Sequence, residues 1–157
     1  MDEKKRKAAL RMLSYGVYII TSKNDNDICA STVTWVSQMS FEPPLISVCI
    51  KKKSATYSMV KERKEFCLHL LGDNQKTLAA SFFKHAVIED GDLNGHPVIF
   101  VNDLPVLIDA PAYLTCSVLE IINRGDHPLF LAEVKDAIVQ KKMDPLELSQ
   151  TGWSYGG

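Results

Sequence analysis

Nine consecutive residues, Ala30-Ser31-Thr32-Val33-Thr34-Trp35-Val36-Ser37-Gln38, crowd four hydroxyls, an amide and an indole into one stretch of a largely apolar chain. A flat heteroaromatic ligand with polar edges needs this mixture: an apolar bed for the ring, and short donors and acceptors for its nitrogens and carbonyls. The same residues also suit an ordinary strand with its polar side in water, since threonine is a good strand former. A second run, Lys51-Lys52-Lys53-Ser54-Ala55-Thr56, sets ammonium groups and hydroxyls where an apolar stretch gives way to a helical one. Clustered cations at a helix N-terminus can hold a phosphate. A solvated basic turn with a serine cap would look the same. Pro43 and Pro44 join the two runs as neighbouring strands, so ring site and phosphate site could serve one nucleotide-sized ligand.

These residues need elements to place them. Glu3 to Leu13 predicts a short helix with Ala8, Ala9, Met12 and Leu13 on its apolar side. Period two takes over from Tyr15 to Thr21, a strand apolar on both faces. After the Asn24–Asp27 turn, a single strand is expected from Ile28 to about Met39, carrying the hydroxyl cluster. Ser40-Phe41-Glu42-Pro43-Pro44 ends it, because neither proline can donate to a ladder. Leu45 to Lys51 is a strand, Ser54 opens a helix, and Phe66 to Leu71 is a strand. Asp73 is expected to cap a helix over NQKTLAASFFK, and residues 84–96 to form a loop. Short extended pieces follow at Pro97–Val101 and Pro105–Ile108, then long strands at Ala112–Ile122 and Leu129–Val139. Residues 140–157 are expected to be an irregular tail. Consecutive strands without helical crossovers predict one mainly β domain over residues 1–157: an antiparallel, Greek-key-like barrel with short peripheral helices.

Composition bounds the function. The 157 residues are 46% hydrophobic and 24% charged with a net charge of -1, so no single-sign field points to nucleic acid or a membrane surface. The longest apolar run, Leu45–Ile50, is far below the ~20 residues a membrane-spanning helix needs. The charged start, MDEKKRKAALRML, lacks the apolar core of a signal peptide, so a cytoplasmic protein is expected. Cys29, Cys49, Cys67 and Cys116 form no C-x-x-C pair and are expected reduced, three of them packed as small hydrophobes. The histidines show no metal-ligand spacing, and neither G-x-S-x-G nor G-x-G-x-x-G occurs.

The ordered set of motifs carries a resemblance. Hydroxyl-rich strand, S-F-E-P-P-L, K-x-x-S-x-T, F-x-L-x-L-L, Q-x-x-L-A-x-x-F and a late G-D-H are similar to the flavin reductase-like, FMN-binding split-barrel family, over about Leu10 to Val139. The stretch Trp35–Pro44 most resembles the branch found as flavin reductase domains appended to flavodiiron proteins. The resemblance implies a split β-barrel that binds FMN, or FAD, and transfers hydride from NAD(P)H to the flavin. The family's G-M-T-A-N-S stretch falls on Ala30-Ser31-Thr32-Val33-Thr34-Trp35, with Ala30, Thr34 and Trp35 departing from it. This implies ring contacts from Ser31, Thr32, Val33, Thr34 and Trp35, with Ser31 and Thr32 as donors to the ring's polar edge. Lys51, Ser54 and Thr56 match the phosphate grip, and Phe82 matches an aromatic near the flavin. His127 of Gly125-Asp126-His127 matches a residue on the nicotinamide side; a purely structural histidine at a tight turn is its other reading. Trp153 and Tyr155 have no apolar neighbours in sequence, so they are expected over the flavin as a flap or against a dimer partner. Similar proteins are homodimers with the flavin near the interface. An electron-transfer flavoprotein, reduced by a rubredoxin- or ferredoxin-like partner, is the alternative function; a carrier without turnover or an oxidase of pyridoxine phosphate stands further off. The choice between NADH and NADPH, the tightness of flavin binding and the final acceptor stay open.

Overall fold

The computed structural model describes all residues 1–157. Its elements in order are α1 (Glu3–Leu10), β1 (Tyr18–Lys23), β2 (Ile28–Val33), β3 (Val36–Ser40), β4 (Leu45–Cys49), α2 (Ala55–Arg63), β5 (Glu65–Leu70) and α3 (Lys76–Ala80). They continue with β6 (Ile88–Glu89), β7 (Asp92–Leu93), β8 (His96–Val101), β9 (Leu104–Leu107), β10 (Ala112–Ile122), β11 (Leu129–Val139) and a 3-10 turn at Leu148–Gln150. Seven strands form one antiparallel sheet in the order β2-β1-β5-β10-β11-β4-β3, and β6 to β9 form a smaller antiparallel sheet. The mainly β, split-barrel expectation holds.

The expected single strand from Ile28 to Met39 is two strands. β2 and β3 lie on opposite edges of the large sheet, yet only Thr34 and Trp35 separate them. At no more than about 3.6 Å per residue, this link holds the two edges within about 11 Å of each other, so the sheet must curl almost shut. The Trp35 carbonyl accepts from the Cys49 amide at 3.0 Å, fixing the seam to the end of β4.

The Val17–Ile20 stretch leading into β1 is apolar throughout because both of its faces meet a core. Val17 and Ile19 face one buried cluster with Leu71, Leu78, Leu107 and Leu146. Ile20 faces the other, with Val48, Phe66, Leu68 and Phe130. Each fully buried side chain of this size is worth about 1.5–3 kcal/mol of transfer free energy.

Three further expectations are corrected. Helix α1 buries no residue, and Ala8, Ala9, Met12 and Leu13 are all exposed, because its four successive basic residues leave no apolar stripe. Asp73 does not cap α3: its amide pairs with the Asp144 carbonyl, and the shorter α3 starts after Gln75 without a side-chain cap. Residues 84–96 include the strands β6 and β7, tied back by Asn94, which accepts from the Val87 amide and donates to the Ser81 carbonyl. Residues 140–157 are mostly irregular, with a 3-10 turn at Leu148–Gln150, and the stretch is anchored: Leu146 is 2% exposed, and its backbone bonds both Val17 and Leu71. Two leucines in DPLELS are too few to show a period in the sequence.

Candidate functional site

The seam borders a cavity of about 470 Å³. Ser31 to Trp35 form one wall, supplied by the end of β2 and the seam. Cys49, Ile50, Lys51 and the cap residue Ser54 form the second, where β4 runs into α2. Phe82 and Phe83 come from the turn after α3, and His127 from the β10–β11 turn. Leu148, Trp153, Ser154 and Tyr155 complete it from the chain's last segment.

Local folding accounts for each wall. Ser54 is the N-cap of α2: its Oγ accepts from the Tyr57 amide at 3.1 Å and donates to the Lys51 carbonyl at 2.7 Å. The Lys52 amide donates to the Asp126 carbonyl at 2.9 Å, so the basic run and the Gly-Asp-His turn are held side by side. Thr32 Oγ1 donates to the Ala79 carbonyl at 2.6 Å, and Ser31 Oγ shares a 2.5 Å bond with Thr56 Oγ1. The hydroxyls expected to face a ring edge are thus already engaged within the protein. Of the three buried side-chain polar atoms without a partner, Thr115 Oγ1 lies away from the cavity, and Thr34 Oγ1 and Trp35 Nε1 sit at the two seam positions where the sequence departs from the family pattern.

His127 is held from both sides. Its Nδ1 lies 2.7 Å from Asp126 Oδ1 and its Nε2 lies 2.6 Å from the Tyr155 hydroxyl. A carboxylate only accepts, so Nδ1 carries a proton, and in the neutral ring Nε2 accepts from the phenol. The bond from His127 holds the Asp126 carboxyl below its ordinary range. Burial, with Asp126 nearby, pushes the Tyr155 phenol up. The rings of Trp35, His127 and Tyr155 pack mutually, with centroids 4.7, 5.5 and 5.7 Å apart.

Nine of the ten residues singled out from sequence line this cavity: Ser31, Thr32, Val33, Thr34, Trp35, Lys51, Ser54, Phe82 and His127. The tenth, Thr56, is 1% exposed and lines a smaller cavity of about 180 Å³ that shares Ser31, Phe82 and Phe83 with the first. Lys84 and His85 flank that smaller cavity opposite the start of α2, and the sequence reading passed over both. Their signal was a basic pair directly behind the Phe82-Phe83 aromatics. Trp153 lies over Phe83 at 4.8 Å and joins the core's edge, and Tyr155 reaches His127, so both aromatics of the last segment lie against the cavity.

The residues fit a flavin. There is an apolar bed, two unpartnered polar atoms at its edge, and a cationic end where a helix starts. Residues 10–155 match the flavin reductase like domain. The reductase component of 4-nitrophenol 4-monooxygenase/4-nitrocatechol 2-monooxygenase from Rhodococcus opacus is 31% identical over 78% of this chain and 64% of its own length. An NADH:FMN oxidoreductase of Rhodococcus qingshengii is 32% identical over 82% of this chain and 66% of its own. The chain therefore spans about two thirds of the length of these curated relatives. Among solved structures, the flavin reductase PheA2 superposes with a TM-score of 0.80 at 26% identity, over 100% of this chain and 99% of that one. The match takes in the 140–155 stretch that closes the cavity as well as the strands, and the protein belongs to the flavin reductase-like domain family.

Proposed function

We propose that this chain is an FMN-binding flavin reductase that uses reduced nicotinamide nucleotide as its hydride donor. The observation that carries the reading is the single cavity joining an apolar bed, the unpartnered Thr34 and Trp35 atoms, and the Lys51–Ser54 end. Flavin bound there supplies the ring that accepts hydride. Val33, Trp35 and Phe82 bed the ring, and Thr34 Oγ1 and Trp35 Nε1 bond its polar edge. Lys51, the start of α2 and the pair Lys84 and His85 hold the phosphate. Thr56 acts by fixing Ser31. His127, oriented by Asp126, offers Nε2 to the donor nucleotide. The curated relative named NADH:FMN oxidoreductase supports FMN and a nicotinamide donor.

The protein's absorption spectrum, taken anaerobically with FMN before and after NADH and then NADPH, tests this. Bleaching by one nucleotide names the donor. Bound flavin that neither nucleotide bleaches would instead favour reduction by a protein partner of the rubredoxin or ferredoxin kind. No binding of FMN or FAD would end the flavin reading. Lys51→Ala and Lys84→Ala should each raise the FMN Kd about tenfold, since a bond to a charged group is worth about 1.5–3 kcal/mol. Riboflavin, lacking the phosphate, should lose little in either variant.

A homodimer is part of the proposal. The large sheet leaves a groove of about 320 Å³ lined by Tyr18, Val36, Leu114 and Val134, with Met39 of β3 and Phe41 of the turn after it exposed. A second copy would cover that apolar surface. Sedimentation velocity should give twice the chain mass, and Leu114→Glu should shift it to one. The four free thiols suit the reducing cytoplasm.

A further inference from the structure

We infer that Ser154–Gly157 is a displaceable cover over the cavity, with Tyr155 holding on His127 the position that the carboxamide of an incoming nicotinamide takes. The inference rests on the flavin reductase reading above. Three features of the segment support it.

The attachment is slight. Residues 154–157 make two hydrogen bonds to the rest of the protein: the Tyr155 phenol to His127 Nε2 at 2.6 Å, and Arg11 Nε to the Gly156 carbonyl at 3.3 Å. Just before them the chain is anchored. Thr151 is buried, the Trp153 amide donates to Thr151 Oγ1 at 3.0 Å, and the Trp153 ring packs on Phe83 with Lys76 above it. Gly156 adopts φ +110°, a conformation that side-chain-bearing residues rarely reach, and it lies over the indole edge of Trp35 that carries the unpartnered Nε1. A segment held by two bonds next to a firm anchor opens at small cost in free energy.

The covered acceptor suits the donor's chemistry. With Nδ1–H donating to Asp126, the neutral form of the His127 ring has one acceptor to offer, and the phenol occupies it. A carboxamide N–H replaces the phenol O–H there without changing the tautomer. Tyr155 is also an aromatic ring resting edge-on against Trp35, so a ring would replace a ring.

Position separates the two ligands. Phe82, on the inner wall, is 3% exposed, whereas Tyr155 is 44% exposed on the outer side. The flavin belongs inside, and Tyr155 stands where a second ring arrives. A site closed for most of the time lowers apparent affinity by the fraction that is open.

The test uses the flavin-loaded chain with Tyr155→Phe, which removes the latch and keeps the ring, and Tyr155→Gly, which removes both. Steady-state oxidation of the nucleotide that bleaches the wild type should show its KM falling about fivefold in Tyr155→Phe, the worth of one hydrogen bond, and further in Tyr155→Gly. FMN titration without donor should give Kd values within twofold of wild type. Oxidised nicotinamide dinucleotide added to the loaded wild type should speed amide exchange at 154–157. A KM that rises or stays level, or slowed exchange, overturns the cover. So does an FMN Kd that rises in step with KM, because Tyr155 would then belong to the flavin's own wall. A wild type that binds no flavin or oxidises no donor overturns the reductase reading, and the cover with it.

Discussion

His69 uses both ring nitrogens inside the protein. It accepts from the Leu107 amide at 3.0 Å through Nε2 and lies 2.9 Å from the Ile19 carbonyl through Nδ1, which must therefore carry the proton. Complete burial pushes its pKa down to about 4. The unfolded chain takes up a proton near pH 6.5 that the folded chain refuses until about pH 4, so stability falls as pH drops through this window. The loss is on the order of 3 kcal/mol by pH 4. Urea midpoints measured stepwise from pH 7 to 4 should decline, and His69→Gln should flatten the decline above pH 5. Cys49 differs from the other thiols in lining the cavity, half-buried, with its thiol pushed up by burial. Burial pushes Cys29 up to about 11 and Cys116 up to about 12. Slow alkylation should reach Cys49 first, and bound FMN should protect it, as read by peptide mass mapping. Most of the site was legible at this scale because hydroxyls, lysines and an indole are conspicuous in an apolar chain. Which hydroxyls stay free was not: Thr32 meets the Ala79 carbonyl 47 residues away, a partner no local pattern reveals.

Helices and strands behave differently under the same reading. Ser54 was legible as the cap of α2, and Ser54→Ala should cost about 1 kcal/mol, seen as a lower thermal midpoint. Helix α1 misled because Ala8, Ala9, Met12 and Leu13 look like a stripe, yet all are exposed. Removing residues 1–10 should therefore move the unfolding free energy by less than about 0.5 kcal/mol. A drop of several degrees in the thermal midpoint would contradict that. The strand break at Thr34-Trp35 left no trace because no glycine or proline marks it. It arises from the curl of the whole sheet, which sequence periodicity along one strand does not report.

At the scale of the molecule, the fold class followed from strands succeeding one another without helical crossovers. The pairing order did not, because β1–β5 and β5–β10 contacts join segments far apart in sequence. The two-residue link between opposite sheet edges has a topological consequence. Near the other end of the path, Arg11 bonds Gly156, and a Cβ on Gly157 would meet the Lys7 backbone at 2.9 Å, so the first and last segments adjoin. The chain is thus nearly a closed ring, with one covalent stitch at Thr34-Trp35 holding the barrel's lips together. A circular permutant, joined from Gly157 to Met1 by a short glycine linker and cut between Thr34 and Trp35, would keep every strand pairing while leaving the lips free to part. It should fold with native circular dichroism and bind FMN at least tenfold more weakly, which would assign to a single peptide bond the task of setting how wide the mouth of the barrel stands.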